Sequence, residues 1–357
     1  MPKPRASMVV RCVPGLESIV QQELRALSVA SSFTSPGTVF AKHVSAKELY
    51  ASNALLRCAT RILVPACSFV ARSFADLELA CKRLAREDAL LSSLLVPGAR
   101  LRVRVQAAAN SPLFHTAAVA ERIARHLHVP AEPSFARSSE ETGAVAEPPE
   151  QRLDVLVDGE WVKILVDASG EALHDRGWRQ DRGAKMPLKE SVAAGLLHSL
   201  GWAEPPDRVG AAAAPDAASR FRALVDPFCG SGTIPIEAAL LSIGMPAHFL
   251  SGRSFALQRW PAFEPGTWGA VMGEMARRAE RADARRGSVP LIVASDRDAG
   301  AITSAQANAR GAGVADLIEF RQCSVSDVAP PRRRASPRGD NGQPGLLVTN
   351  PPWGVRS

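Results

Sequence analysis

From residue 221 onward, short apolar runs alternate with helical patterns, and few architectures accept that rhythm. Phe221 to Val225, Leu291 to Ala294, Leu317 to Arg321 and Leu346 to Thr349 read as strands. Gly232 to Ser242 and Ala299 to Arg310 read as the helices among them. Alternation of this kind builds a parallel α/β sheet whose helices are its crossovers. The expected fold class is therefore α/β for this half. With 357 residues, two to three domains of roughly 100–200 residues each are expected.

Before residue 180 the rhythm differs. Val9 to Val13 reads as a strand, Pro14-Gly15 as a turn, and Leu16 to Leu27 as a helix with Leu16, Ile19, Val20, Leu24 and Leu27 on one face. Val39 and Phe40 suggest a short return strand, and Ser45-Ala46-Lys47-Glu48 is a capping box opening another helix. A second α+β stretch has strands at Arg61 to Phe69 and Leu101 to Gln106, and a hairpin of Arg152 to Val157 with Trp161 to Val166 around Asp158-Gly159. Its helix, Thr116 to Leu127, turns Ala120, Ile123, Ala124 and Leu127 inward. Arg122, Arg125 and His126 lie on the other side, where a solvated face is the commoner meaning than an RNA contact. Glu132 to Glu150 is acidic, rich in Pro and Ser, and aperiodic, which predicts a loop. A linker from Gly177 to Gly183 leads to a helix at Leu188 to Leu200. Loops are expected at Ala203 to Ala218 and Pro330 to Gly345.

Composition narrows the classes further. At 46% hydrophobic and 22% charged residues, the chain can build buried cores, which excludes wholesale disorder. No uncharged apolar run approaches the ~20 residues of a membrane helix, so no membrane partner is expected. The six cysteines (Cys12, Cys58, Cys67, Cys81, Cys229 and Cys323) form no C-x-x-C pair. No metal site is expected from them, and a reducing, cytoplasmic setting fits. Of 43 basic residues only seven are Lys, and the net charge is +7. Arg binds phosphate in a bidentate manner and stacks on bases, as RNA partners require. GC-rich coding explains the same Arg excess, so charge alone does not decide.

The strongest local signal is Asp226-Pro227-Phe228-Cys229-Gly230-Ser231-Gly232-Thr233, between a strand and a helix. Glycines there let a ligand approach the backbone, and the helix start offers unbonded amides. The pattern matches neither the triphosphate loop G-x-x-x-x-G-K-[ST] nor the dinucleotide fingerprint G-x-G-x-x-G. Alone it would be a structural turn. Asp296 closes the next strand, where doubly wound folds bind ribose hydroxyls, and Asn350-Pro351-Pro352-Trp353 follows a third strand of the same sheet. All three converge at one carboxyl edge. The Asn350 side-chain oxygen and the Pro351 carbonyl are two acceptors that suit an exocyclic amino group of a nucleobase. Trp353 can stack on that base, worth roughly 1–3 kcal/mol. Catalysis by such a set is mostly positioning.

The combination D-P-F-C-G-S-G-T-I-P-I-E-A-A with N-P-P-W-G-V-R resembles the THUMP-domain, S-adenosylmethionine-dependent RNA guanine 2-amino methyltransferases, and the likeness covers nearly the whole chain. Val13-Pro14-Gly15-Leu16-Glu17 is similar to the opening of that family's ferredoxin-like domain, and Leu56-Arg57 to Arg61 to its entry into the THUMP domain. Asp167 to Arg179 resembles the connector D-x-S-G-x-x-L-H-x-R-G-[YW]-R, and Pro187-Leu188-Lys189-Glu190 the helix before the cofactor loop. Ser254 to Trp260 with Trp268 resembles an insertion separating Asp226 from Asp296. The resemblance implies a ferredoxin-like domain at 1–55, a THUMP RNA-binding domain at 56–168 and a Rossmann-like, class I methyltransferase domain at 183–357. It implies S-adenosylmethionine lined by Asp226, Phe228, Gly230, Gly232 and Thr233, with Asp296 on the ribose. Asn350, Pro351, Pro352 and Trp353 would hold the guanine of a structured rRNA or tRNA. The bacterial-type large-subunit rRNA branch is the nearer one, the tRNA branch second.

Two departures from that pattern shape the expectations. The family carries an acidic residue after the third strand for the adenine amino group; here Ser324 stands at that point, with Asp327 an alternative through a shifted loop. The sequence also stops three residues past Gly354, whereas the family's sheet continues with a fifth strand and a hairpin. An incomplete, truncated sheet is therefore expected. A DNA amino-methyltransferase and a non-catalytic RNA-binding protein are the competing functions.

Overall fold

The computed structural model describes residues 6–130, 148–180, 187–202, 220–328 and 344–352. The expected loop at Ala203 to Ala218, most of those at Glu132 to Glu150 and Pro330 to Gly345, the end of the linker, and Trp353 lie outside the described residues.

Seven strands make one mixed sheet. In chain order they are β1 (Ala6–Cys12), β2 (Ser31–Ser35), β3 (Thr38–Val44), β4 (Ala59–Val70), β5 (Arg100–Ala107), β6 (Glu150–Asp158) and β7 (Trp161–Asp167). Their order across the sheet is β2-β3-β1-β4-β7-β6-β5, antiparallel throughout except for the β5–β6 pair. The long β4 is the reason the two N-terminal α+β stretches are continuous. Its first residues pair with β1, as Arg61 with Arg11, and its later ones with β7, as Val70 with Trp161. Pro65 sits at a bulge in the β7 pairing, a place where the missing donor is tolerated.

The helices of this half follow the expected periodicities: α1 (Glu17–Ala26), α2 (Ala46–Leu55) and α5 (Thr116–His126). Ser45 and Glu48 close the capping box at the start of α2. Two further helices, α3 (Phe74–Glu87) and α4 (Ala89–Leu94), begin at the side-chain caps Ser73 and Asp88. On α5, Arg122 lies over the Phe74 ring and donates to Glu78, which His126 also faces, so those two groups are engaged within the fold.

The second sheet is parallel. It contains β8 (Ala223–Asp226), β9 (Leu291–Asp296), β10 (Ile318–Gln322) and β11 (Gly345–Leu347), in the order β10-β9-β8-β11. The crossovers are α7 (Thr233–Ile243) and α9 (Ala299–Gly311), preceded in the chain by α6 (Glu190–Ser199). This is the doubly wound α/β arrangement expected from the alternation. Among the described residues no helix is long and apolar enough to cross a membrane.

The inserted segment between α7 and β9 ties the two sheets together. It carries α8 (Pro265–Arg285), and its Phe255, Leu257, Trp260, Val271 and Met275 belong to the same apolar core as β1, β4 and α2. Tyr50 of α2 meets Phe263 and Trp268, and its hydroxyl accepts from the Glu264 amide at 3.0 Å. The Arg253 guanidinium donates to the carbonyls of Ala172, Asp175 and Glu171.

A buried ionic cluster completes the junction. Glu237 on α7 is fully buried and accepts from Arg57, just past α2, at 2.7 Å and from Arg176 of the connector at 3.0 Å. Burial works against its ionisation, but the two guanidinia outweigh it and hold the carboxyl below its ordinary range. Arg176 also donates to the Arg57 carbonyl at 2.6 Å, and Arg57 to that of Met245. Nearby, Glu23 on α1 accepts from the amides of Arg57 and Cys58, and ligand atoms of Glu23, Cys58 and His198 come within 4.8 Å of one another.

Removing one member of a buried ion pair leaves an uncompensated charge, at a cost of about 3–5 kcal/mol. The Glu237→Ala variant is expected to lose stability on that scale, measured as a fall in the urea unfolding midpoint. A midpoint equal to that of the wild type would mean that water solvates both guanidinia.

Candidate functional site

The strand order reverses between β8 and β11, since β9 and β10 lie on one side of β8 and β11 on the other. In open α/β sheets the crevice outside the carboxyl ends at such a reversal is where ligands bind. Asp226 ends β8, Asp296 ends β9, and Asn350 follows β11 by three residues, so the three sequence signals meet at that edge.

The loop from Asp226 to Gly232 is shaped from both sides. Asp226 is buried, and its Oδ1 accepts from the Phe228 amide at 3.2 Å and the Thr349 hydroxyl at 2.7 Å. Burial raises its pKa to about 6, with a smaller contribution from the Asp296 charge. The Cys229 amide donates to the Ser295 carbonyl at 2.9 Å, and the Gly230 amide to Asp296 Oδ2 at 3.1 Å. Asp296 Oδ1 accepts from the Asp298 amide, and Asp298 in turn caps α9. Gly230 has φ of +51°, and a Cβ built on it meets no atom within 4 Å, so the loop borders open space there. Gly232, the N-cap of α7, has φ of +84°, and a Cβ on it would stand 3.0 Å from the Ala305 Cβ on α9. Only glycine reconciles that backbone with the close approach of α9.

The other expected residues fall into two groups. Phe228 and Gly230 are half-buried, as are Asp296 and Asn350, while Pro351, Pro352 and Ser324 are exposed. Ser324 stands just before a short 3-10 turn, Val325–Asp327, that follows β10, and the Cys323 amide donates to the Asp296 carbonyl. Asp327 lies on the same turn and is exposed, so both acidic-position candidates sit at the carboxyl end of β10. Thr233 differs. It is buried, and its hydroxyl accepts from Arg179 at 3.0 Å. Nothing local in the sequence marks Thr349, Asn308 or Arg179 for this edge; of the supporting residues, Asp298 alone carries a readable signal, as an N-cap before a helical run.

A loop of amides and glycines beside open space, with a carboxylate on the next strand, fits a ligand with a ribose and a charged tail. Two acceptors at Asn350 and Pro351 stand at the far side of the reversal.

Two outcomes follow from the geometry. An acid with a raised folded-state pKa costs stability as pH rises from about 4 to about 6, because the unfolded state gives up its proton in that range while the folded state still holds it. At roughly 1.4 kcal/mol per pKa unit, Asp226→Asn, which keeps the Oδ1 acceptor, should unfold at higher temperature than the wild type at pH 7.5. Below pH 4 that gap should close; an equal gap at both pH values would refute burial as the cause. Gly232→Ala is expected to lose about 1–3 kcal/mol from crowding, read by thermal unfolding.

Comparison with known proteins agrees with this reading. Residues 7–63 match the RlmL ferredoxin-like domain and residues 217–357 the RMKL-like methyltransferase domain. The chain is 31% identical over 345 residues to ribosomal RNA large subunit methyltransferase K/L of Syntrophotalea carbinolica, covering 96% of this chain and 43% of that protein. It thus spans less than half the length of such curated relatives. It is 29% identical to YpsC of Bacillus subtilis, a candidate RNA methyltransferase, over 98% of this chain and 80% of the relative. A crystal structure of a protein from Listeria monocytogenes, described as a predicted N6-adenine-specific DNA methylase, superposes with a TM-score of 0.74 at 28% identity, covering 99% of this chain and 81% of that one. Residues 217–357 therefore belong to the RMKL-like methyltransferase domain family, carried in this chain behind an RlmL-type ferredoxin-like domain.

Proposed function

We propose that the protein transfers a methyl group from S-adenosylmethionine to the exocyclic 2-amino group of a guanine in a structured RNA, rRNA or tRNA, in the cytoplasm. The observation that carries this reading is the meeting of the glycine loop, Asp296 and Asn350-Pro351-Pro352 at one strand-order reversal. The cofactor supplies an electrophilic methyl on a sulfonium. Phe228, Gly230 and Gly232 of the loop, with Asp226 and Thr233 behind it, hold its methionine and ribose part, Asp296 takes the ribose hydroxyls, and Ser324 or Asp327 borders the adenine.

Asn350 Oδ1 and the Pro351 carbonyl accept from the two N–H groups of the target amine, with Pro352 and Trp353 against the base. Held this way, the amine nitrogen keeps its lone pair toward the methyl, and alignment supplies most of the rate. The Asp226–Thr349 hydrogen bond links the cofactor loop to the strand that leads into Asn350, so the two half-sites share one anchor.

RNA grip at a distance belongs, in this reading, to a THUMP module over 56–168, behind a ferredoxin-like module over 1–55. Exposed Arg100, Arg102 and Arg104 repeat along the outer face of β5 at the edge of that sheet, a row suited to phosphates. The likeness to a protein described as a DNA methylase keeps an amino group of DNA as the second reading.

Calorimetric titration of S-adenosylmethionine into the 357-residue chain should show binding that Asp296→Ala weakens at least tenfold. Tritium from the labelled cofactor should then enter RNA lacking the modification and be recovered as N2-methylguanosine. Label in DNA alone would support the second reading, and label on another RNA atom would overturn the guanine assignment.

A further inference from the structure

The connector after β7 does more than join two halves. Arg179 is nearly buried, and its guanidinium donates to the Ser231 hydroxyl at 3.0 Å, the Thr233 hydroxyl at 3.0 Å, the Leu188 carbonyl at 3.2 Å and the Glu190 carboxylate at 2.9 Å. It also lies 5.0 Å from the centre of the Trp178 ring. One side chain therefore fixes two hydroxyls of the glycine loop and the entrance to α6. On the other side of the loop, Asn308 of α9 donates to the Ser231 carbonyl at 3.0 Å while its Oδ1 accepts from the Gln180 amide at 2.9 Å. Ser231 is thus gripped at its hydroxyl by Arg179 and at its carbonyl through a residue that the next connector position holds. The connector runs tightly over α9: a Cβ on Gly311 would lie 2.4 Å from the Trp178 carbonyl oxygen.

We propose that Arg179 is a positioning residue for the methyl donor. It acts through Ser231 and Thr233, and holds the glycine loop in the form that accepts the ligand. The proposal rests on the reading of that loop as the adenosylmethionine site. Arg179 lies outside both matched domains, residues 7–63 and 217–357. The loop's shape is consequently set from a segment that neither domain contains. Glu190 is essential to this arrangement, because a free guanidinium beside the loop would repel a sulfonium cation; paired, it contributes hydrogen bonds without net charge. The hydroxyl of Thr233 is turned to this task, which explains why a residue at the start of α7 is buried rather than open to the crevice.

The test is a double-mutant cycle on the full chain, read as the dissociation constant for S-adenosylmethionine by calorimetry well below the unfolding temperature. Arg179→Ala and the double variant Ser231→Ala/Thr233→Val should each weaken binding about tenfold, and their combination also about tenfold, because they remove one shared interaction. Arg179→Lys should fall between, since an ammonium keeps the charge but not the planar fork that reaches both hydroxyls. Additive losses, near a hundredfold in the combination, would show Ser231 and Thr233 touching the ligand directly and overturn the proposal. Wild-type binding with all variants within twofold of it would overturn it as well. Absence of binding by the wild type would instead refute the reading of the site itself. If Arg179→Ala does not fold, Arg179→Lys takes its place in the cycle: its loss should vanish in the Ser231→Ala/Thr233→Val background, and a loss that persists there in full would overturn the proposal.

Discussion

The Glu237 carboxylate is the point on which the two halves turn. Held by Arg57 from the end of α2 and by Arg176 from the connector, it sits on the helix that the glycine loop begins. Desolvating three charges is costly, and a buried pair contributes little net stability compared with apolar packing. What it supplies is geometry. Each guanidinium has one productive orientation, so α7, the end of α2 and the connector can meet in only one way. The aromatic contacts of Tyr50 with Phe263 and Trp268 would tolerate sliding; the ionic cluster does not.

That fixed junction explains why the edge of the second sheet can be so economical. Its loop is supported by backbone-to-carboxylate bonds at Asp226 and Asp296, and by connector side chains behind it. Few side chains need to enter the crevice, which leaves it open around Gly230. The carboxylate at the end of β8 faces inward to Phe228 and Thr349 rather than outward. On the proposed reading, such a site holds its ligand largely with backbone, and its precision comes from neighbours behind the loop.

Much of this was legible in the residues. Short apolar runs mark the four described strands of the parallel sheet, most plainly β8 and β9, which are buried along most of their length and cannot hide their composition. The capping box at Ser45 and Glu48, the hairpin at Asp158-Gly159 and the helix periodicities rest on local chemistry, and the structure has them where expected. The polar strand β2, Ser-Ser-Phe-Thr-Ser, is unmarked in the sequence because an edge strand exposed along nearly its whole length carries almost no apolar signal. Helix α8 escaped because its stripe of Val271, Met275, Ala279 and Ala282 is thin among charged residues. The continuity of the seven-stranded sheet was invisible, since strand pairing across β4 joins residues more than 90 positions apart. At the site, positions marked by glycine and by strand-end carboxylates were readable. The work of Arg179, Asn308 and Thr349 was not, because nothing local distinguishes an Arg that bridges segments from one that faces water.

The inserted segment has a consequence for synthesis. The first sheet has its last strand once Asp167 is made, yet its core includes Trp260, Val271 and Met275, about a hundred residues later in the chain. At elongation rates of roughly 5–20 residues per second, the sheet waits on the order of 5–20 s with part of its apolar face open. During that interval the nascent chain presents a surface that a chaperone can hold, and the second half, as it emerges, must displace that helper to seat its aromatic residues.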